Sequence, residues 1–232
     1  MTSPTRYPAG VSTQQSGFVL GNYPNPDPSK VYTHFDDFPQ YRAADWTVTT
    51  GANVGVVASA QGQGGLITLT TTAVTAADFV NIVSAPLDFN FTAGQEVWYS
   101  TRLKLSEVTL AIALAGLVGS APGATESPTS GIYFRKLAGS ANVDLVMTLA
   151  SVSVTLPAVT TLLTNTNVKL GYYYNGKDAV TVYVNDVAVA TQSNLTTLPV
   201  ATALTPALGI VSGETVAKVM TVDWVLASQV RV

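Results

Sequence analysis

The 232-residue chain has no cysteine. Disulfide staples and thiolate metal ligands are therefore excluded, and cysteine usage says nothing about the redox compartment. Charge is scarce: Asp, Glu, Lys and Arg make up 11% of the residues, against roughly a quarter in an ordinary soluble domain. Net charge is −3, so no field for binding a polyanion exists, and nucleic acid is not an expected partner. There is one histidine, too few for a zinc site without cysteines. No run of about 20 apolar residues appears, as a membrane-spanning helix would need. The longest candidate, VTLAIALAGLVG at 108–119, is too short and is rich in strand formers. MTSPTRYPAG lacks an apolar centre, so a signal peptide is not expected. No segment carries a capped helical stripe.

What is present is β-forming. Mean hydropathy is +0.30. A chain this apolar and charge-poor hides surface in a large core or a subunit interface, so a homo-oligomer is expected. Residues 1–31 stand apart: Pro4, Pro8, Pro24, Pro26 and Pro28 favour an extended arm. Tyr7, Val11, Phe18 and Tyr23 give that arm enough apolar surface to dock on a partner. From residue 32 to 232 Val and Thr dominate, as they do in strands. EVWYSTRLKLS at 96–106 alternates, with Trp98, Ser100, Arg102 and Lys104 on one side and Val97, Tyr99, Thr101, Leu103 and Leu105 on the other. Asn175-Gly176 and Asn185-Asp186 are tight-turn pairs that divide 168–191 into three antiparallel strands. Alternation places Tyr172 and Tyr174 on one face and Tyr173 on the other. Further strands are expected near 66–70, 79–83, 108–117, 131–136, 142–149, 151–156, 207–211 and 216–229. Many short strands separated by turns predict a sandwich or barrel. The Gly/Pro/Ser stretch at 118–131 is long enough to move or to reach a neighbour.

Candidate chemistry is sparse. In VYTHFDDF, His34 and Asp36 share a strand face, with Asp37 opposite. No G-x-S-x-G accompanies them, so His34 reads as an ordinary residue of the first strand. The oxygen ligands of a calcium site cannot be assembled from one local run, although Asp36, Asp37, Asp45 and Asp88–Asn90 are hints. Glycoside hydrolysis needs two carboxylates flanking the bond. The fourteen acids are scattered, and Asp223, beside Trp224, is the best single one on a strand. GQGG at 62–65 leads into a strand, not a helix, so it cradles no phosphate. No catalytic residue, metal or other cofactor is expected from these patterns, and the chain reads as a non-enzyme.

Several stretches in order carry a resemblance: FDDFPQY…DWTVTT (35–50), GGLITLTT (64–71), GQEVWYSTRLKLS (94–106), LGYYYNGKDAVTVYVNDVAVA (170–190) and LGIVSGETVAKVMTVDWVLASQ (208–229). Together they resemble the concanavalin A-like jelly roll of lectins and glucanases. The resemblance implies an all-β antiparallel jelly-roll sandwich behind the arm. Within that group the chain most resembles virion proteins of tailed bacteriophages that decorate or cement a capsid. That implies a trimer on the capsid surface, with the major capsid protein or another virion protein as partner. The alternative is a lectin-like carbohydrate-binding module on a fibre or tail. An exposed aromatic platform would distinguish it, with Tyr172, Tyr173, Tyr174 and Tyr183 as candidates.

Overall fold

A computed structural model of the chain describes residues 28–85, 89–123, 127–200 and 202–231. Tyr7, Val11, Phe18 and Tyr23, and with them residues 1–27 of the expected arm, lie outside these residues, and Val31, its last residue, opens a strand. Fifteen strands follow one another: β1 Val31–Asp36, β2 Trp46–Thr50, β3 Val56–Ala60, β4 Leu66–Thr70, β5 Phe79–Ser84, β6 Val97–Leu105, β7 Ala111–Val118, β8 Gly131–Lys136, β9 Asn142–Leu149, β10 Val152–Thr161, β11 Val168–Tyr174, β12 Val180–Val184, β13 Val187–Gln192, β14 Thr205–Ser212 and β15 Val219–Val230.

They form two antiparallel sheets packed face to face. The eight-stranded sheet runs β13-β12-β11-β6-β15-β4-β3, with β1 pairing the C-terminal half of β15. The seven-stranded sheet runs β10-β9-β8-β7-β14-β5-β2. This is the expected jelly-roll sandwich. The short strands β2 and β3 were absent from the strand list read from the sequence. Their solvent-facing Thr, Ser and Ala residues make the apolar alternation weak.

Alternation fixes the core. On β6, Val97, Tyr99, Leu103 and Leu105 point inward. On β11, Val168, Leu170, Tyr172 and Tyr174 do the same. They meet Ile132, Phe134, Leu145 and Met147 of the opposite sheet. Tyr172 stacks on Tyr99 with ring centroids 5.2 Å apart, and its hydroxyl donates to the Ile132 carbonyl at 3.2 Å. A smaller apolar cluster, Leu114, Val118, Tyr133, Val146 and Ala207, lies on the outer face of the seven-stranded sheet. The loop between β7 and β8 folds back over that face: Asn81 on β5 donates to the Gly123 carbonyl at 3.0 Å, and Pro122 and Pro128 are buried. Within the stretch at 118–131, Pro122 and Pro128 are thus turned inward, whereas Ala121 is exposed. Gly116 allows the close approach of β7 and β8, since a Cβ there would lie 2.4 Å from the Ile132 carbonyl oxygen.

One end of the sandwich is tied by ions. Lys218, 2% exposed, pairs with Glu107 at 3.0 Å and with Glu214. Glu107 also accepts from the backbone amides of Thr109, Leu110 and Ala111. Burial works against the Glu107 charge. The Leu110 amide, the Lys218 ammonium and the Thr109 groups outweigh it and hold the carboxyl down to about 2. Beside this cluster the buried Lys136 ammonium donates to the Ala111 carbonyl. Burial first, and Lys218 second, lower its pKa to about 8 against the pull of Glu107.

Removing Glu107 leaves Lys218 with a single anion and three amides without their acceptor. Glu107→Ala is expected to cost about 2 kcal/mol in urea unfolding, since the amides lose a charged acceptor while Lys218 keeps Glu214. The depressed Glu107 pKa also sets a sign. Its contribution is complete above the unfolded value of 4.5 and fades as pH falls towards about 2. Thermal melts between pH 5 and pH 2 should show a steeper loss of stability for the wild type than for Glu107→Ala.

Candidate functional site

The outer face of the eight-stranded sheet is built by the other half of the same alternation. With Tyr99 and Tyr172 turned inward, Trp98 and Tyr173 turn outward. They sit opposite one another in the β6–β11 register and stack with centroids 5.0 Å apart and planes 25° apart. On β15, Trp224 lies on the same face, next to the exposed ring of Phe35 at 6.5 Å. Lys169 of β11 holds its ammonium 5.4 Å from the Trp224 ring centroid and pairs with Asp186 in the β12–β13 turn. Tyr183 comes from β12. Trp98, Tyr173, Lys169, Asp186 and Tyr183, with Val31, Ser100, Gly171, Leu226 and Ser228, line a groove of about 400 Å³, and Trp224 and Phe35 lie beside it on the same face.

Its chemistry is an apolar, aromatic floor with a few polar edges. Gly171, opposite Ser100 and between Lys169 and Tyr173 on the outer side of β11, has no side chain to fill the floor. The Ser100 hydroxyl beside it donates to the Leu170 carbonyl. The charges are matched in pairs: Lys169 with Asp186, and Arg102 with Asp223 at 2.5 Å. Burial raises the Tyr173 phenol above its ordinary range, and Glu96 adds to the shift, so the ring enters neutral solution as a hydrogen-bonding, uncharged phenol. Flat rings that carry polar edges and stand half-exposed suit ligands with both apolar faces and hydroxyls.

The structure divides the four tyrosines weighed from the sequence. Tyr173 and Tyr183 face the groove, whereas Tyr172 and Tyr174 are core. Trp98, Trp224 and Phe35 complete the aromatic surface. The alternation in EVWYSTRLKLS had already put Trp98 on the polar side. What the sequence did not supply was the pairing that sets Trp98 against Tyr173. Asp223, the best single strand acid, is engaged by Arg102.

A second, more polar recess of about 420 Å³ lies at β1 and the loop that follows it. Its walls include His34, Asp36, Asp37, Arg42 and Asp45. His34 and Asp36 do share a recess, but they do not form a hydrogen-bonded pair. The Asp36 carboxylate accepts from the Phe38 amide at 2.8 Å and from the Trp46 indole at 2.9 Å, so it turns the chain and anchors Trp46. The His34 ring lies edge-on to Trp46 at 5.9 Å. Burial lowers its pKa, against the opposing pull of Asp36 and Asp45. Among the described residues no group of three or more His, Asp or Glu side chains could hold a metal ion. Asp88, one of the calcium hints, lies outside them.

No family model and no curated protein sequence matches the chain. Solved structures do. The fold is similar to that of an endo-1,3-β-glucanase from Streptomyces sioyaensis (TM-score 0.62, 13% identity, 89% of this chain and 98% of that one). It is also similar to LamAcat from Zobellia galactanivorans (TM-score 0.57, 13% identity, 84% and 96%), and to an endo-β-1,4-glucuronan lyase from the fungus Trichoderma reesei (TM-score 0.56, 12% identity, 84% and 94%). At these identities the likeness establishes the fold. It also corrects one expectation. The chain was read as a non-enzyme because its acids are scattered. The scaffold it shares, nearly end to end, is one that carries glycan-cleaving enzymes, one of them a lyase, so a missing paired-acid run is no ground for that exclusion. The architecture these structures share with the chain is the antiparallel jelly-roll sandwich.

Proposed function

We propose that the chain is a glycan-recognising jelly-roll module whose binding surface is the outer face of the eight-stranded sheet. The stacked Trp98–Tyr173 pair carries this reading. The two rings pack against one another on a rigid sheet and leave their outer faces and edges to meet the C–H face of a sugar ring. Tyr183, Lys169, Asp186 and Ser228 stand at its margins for hydroxyl recognition. Because both side chains are fixed by strand pairing, little conformational freedom is lost on binding. Trp224, with Lys169 above it and Phe35 beside it, extends the surface towards β1, which gives room for more than one sugar ring.

The sequence resemblance placed this module on a virion, with a capsid or other virion protein as partner. That placement rests on the resemblance alone. The groove supports the carbohydrate-binding alternative, and the aromatic platform named as its distinguishing feature is the support.

The test is binding of the whole chain to a panel of neutral and acidic oligosaccharides, followed by calorimetry on those retained and an assay for new reducing ends. Trp98→Ala and Tyr173→Ala should each weaken binding about ten-fold, or about 1.4 kcal/mol, and leave the melting temperature within about 2 °C. Retention of no glycan by the wild type would overturn the proposal, as would full affinity in both variants.

A further inference from the structure

The outer face of the eight-stranded sheet changes character along its strands. On β6 the outward residues run from Trp98 through Ser100 to Arg102 and Lys104. On β11 they run from Tyr173 through Gly171 to Lys169. Strand pairing sets Lys169 directly opposite Arg102, and Arg102 opposite Trp224 on β15. Three cations therefore stand side by side on two adjacent strands, and one of them, Lys169, lines the groove. Like charges placed opposite one another on a sheet work against strand pairing, and the chain has only 11 Lys and Arg to place. Beyond Lys104 the face is shallow: its neighbours across β15, β4 and β3 are Thr221, Thr68 and Ala58.

The carboxylates on this face leave part of that charge unanswered. Asp223 pairs with one guanidinium nitrogen of Arg102 at 2.5 Å, and the Arg102 side chain is 46% exposed. A guanidinium carries five N–H donors in a planar fork. Asp223 thus fixes the fork and leaves most of its donors for a second acceptor. Lys169 is taken by Asp186 and lies against Trp224. The half-buried Lys104 joins no carboxylate among the described residues. At the other end of the groove the sign reverses. Glu96, just before β6, lies close enough to the Tyr173 phenol to hydrogen-bond it and, after burial, to raise its pKa.

We propose that the glycan taken by the groove carries an acidic group, a carboxylate or a sulfate, and that Arg102 and Lys104 receive it. This rests on the glycan-binding reading above and narrows its ligand. With one sugar ring on the Trp98–Tyr173 pair, the ligand runs along β6 to Arg102, four residues on and roughly 13 Å away at strand rise. The acidic group therefore belongs to a neighbouring sugar, not to the ring on the aromatic pair. The Arg102 fork meets two oxygens of a carboxylate or sulfate at once, and the Lys104 ammonium adds a further charge-assisted bond. Glu96 repels an acidic group at the opposite end, so the two ends together fix the direction in which the ligand lies. A neutral glycan meets the same aromatic floor but leaves the spare donors to water.

The experiment is calorimetric titration of the full chain, at physiological salt, with oligosaccharides matched in backbone and length. Neutral glucan, galactan and mannan oligomers would each be compared with the counterpart oxidised to uronate at C6 and the counterpart sulfated at C6. The expected result is that one acidic form binds about five-fold more tightly than its neutral counterpart, and which one it is separates carboxylate from sulfate. In R102Q/K104Q that form and its neutral counterpart should bind alike, whereas W98A should weaken both. Neutral forms that bind the wild type as tightly as the acidic ones overturn this inference and leave the glycan-binding reading standing. A preference that R102Q/K104Q retains overturns it as well. Binding of none of the oligosaccharides overturns both. The ligand comparison on the wild type needs no variant, and K104Q, which breaks no ion pair among the described residues, should lower the preference if R102Q/K104Q fails to fold.

Discussion

The register of β6 against β11 is the constraint on which both the core and the groove depend. Tyr99 opposite Tyr172 makes a ring pair beneath the sheet. Trp98 opposite Tyr173 makes a ring pair above it. Because side chains alternate with period two, a slip of one residue would turn the core pair outward and the groove pair inward. Burial of Tyr99 and Tyr172, together with Phe134 across the sandwich, therefore also holds Trp98 and Tyr173 in place. Stability and the proposed binding surface come from opposite faces of the same strands. Ligand recognition on such a surface needs no loop to order, which is the energetic advantage of building it on paired strands.

The second organising feature is the unequal treatment of the two ends. Lys218, Glu107, Glu214 and Lys136 concentrate scarce charge in a buried or half-buried cluster, where desolvation opposes it. The compensation is geometric: Glu107 fixes three consecutive amides, and Lys218 links the loops before β7 and before β15. The far end keeps its charges in solvent. The groove lies on the flat of the sheet, between these ends.

Much of this was legible in the chain. Alternation in 96–106 and 168–174 gave the inward and outward sets residue by residue, because each strand is half-buried and its polar side carries Ser, Arg and Lys. The Asn-Gly and Asn-Asp turns marked the β11–β13 meander, since few other residues accept the backbone there; Asn185 and Asp186 both have positive φ. β2 and β3 escaped because edge strands bury little and carry weak alternation. The groove escaped in part because it is a product of pairing. Trp98, Tyr173 and Leu226 are distant in sequence, and only the β11-β6-β15 order brings them together. His34 drew notice for its rarity, yet the carboxylate beside it is committed to Phe38 and Trp46. No local pattern reveals such a commitment.

The three tryptophans provide an internal comparison for the central claim. Trp98 and Trp224 lie on the outer face of the eight-stranded sheet, whereas Trp46 is buried with its indole N–H bound to Asp36. Indole resonances in a ¹⁵N–¹H spectrum of the intact chain, followed while an oligosaccharide retained from the panel is added, would separate them. A glycan seated on the groove predicts large shifts for Trp98 and Trp224 and a stationary Trp46. Binding that moved Trp46 and left Trp98 and Trp224 in place would contradict it.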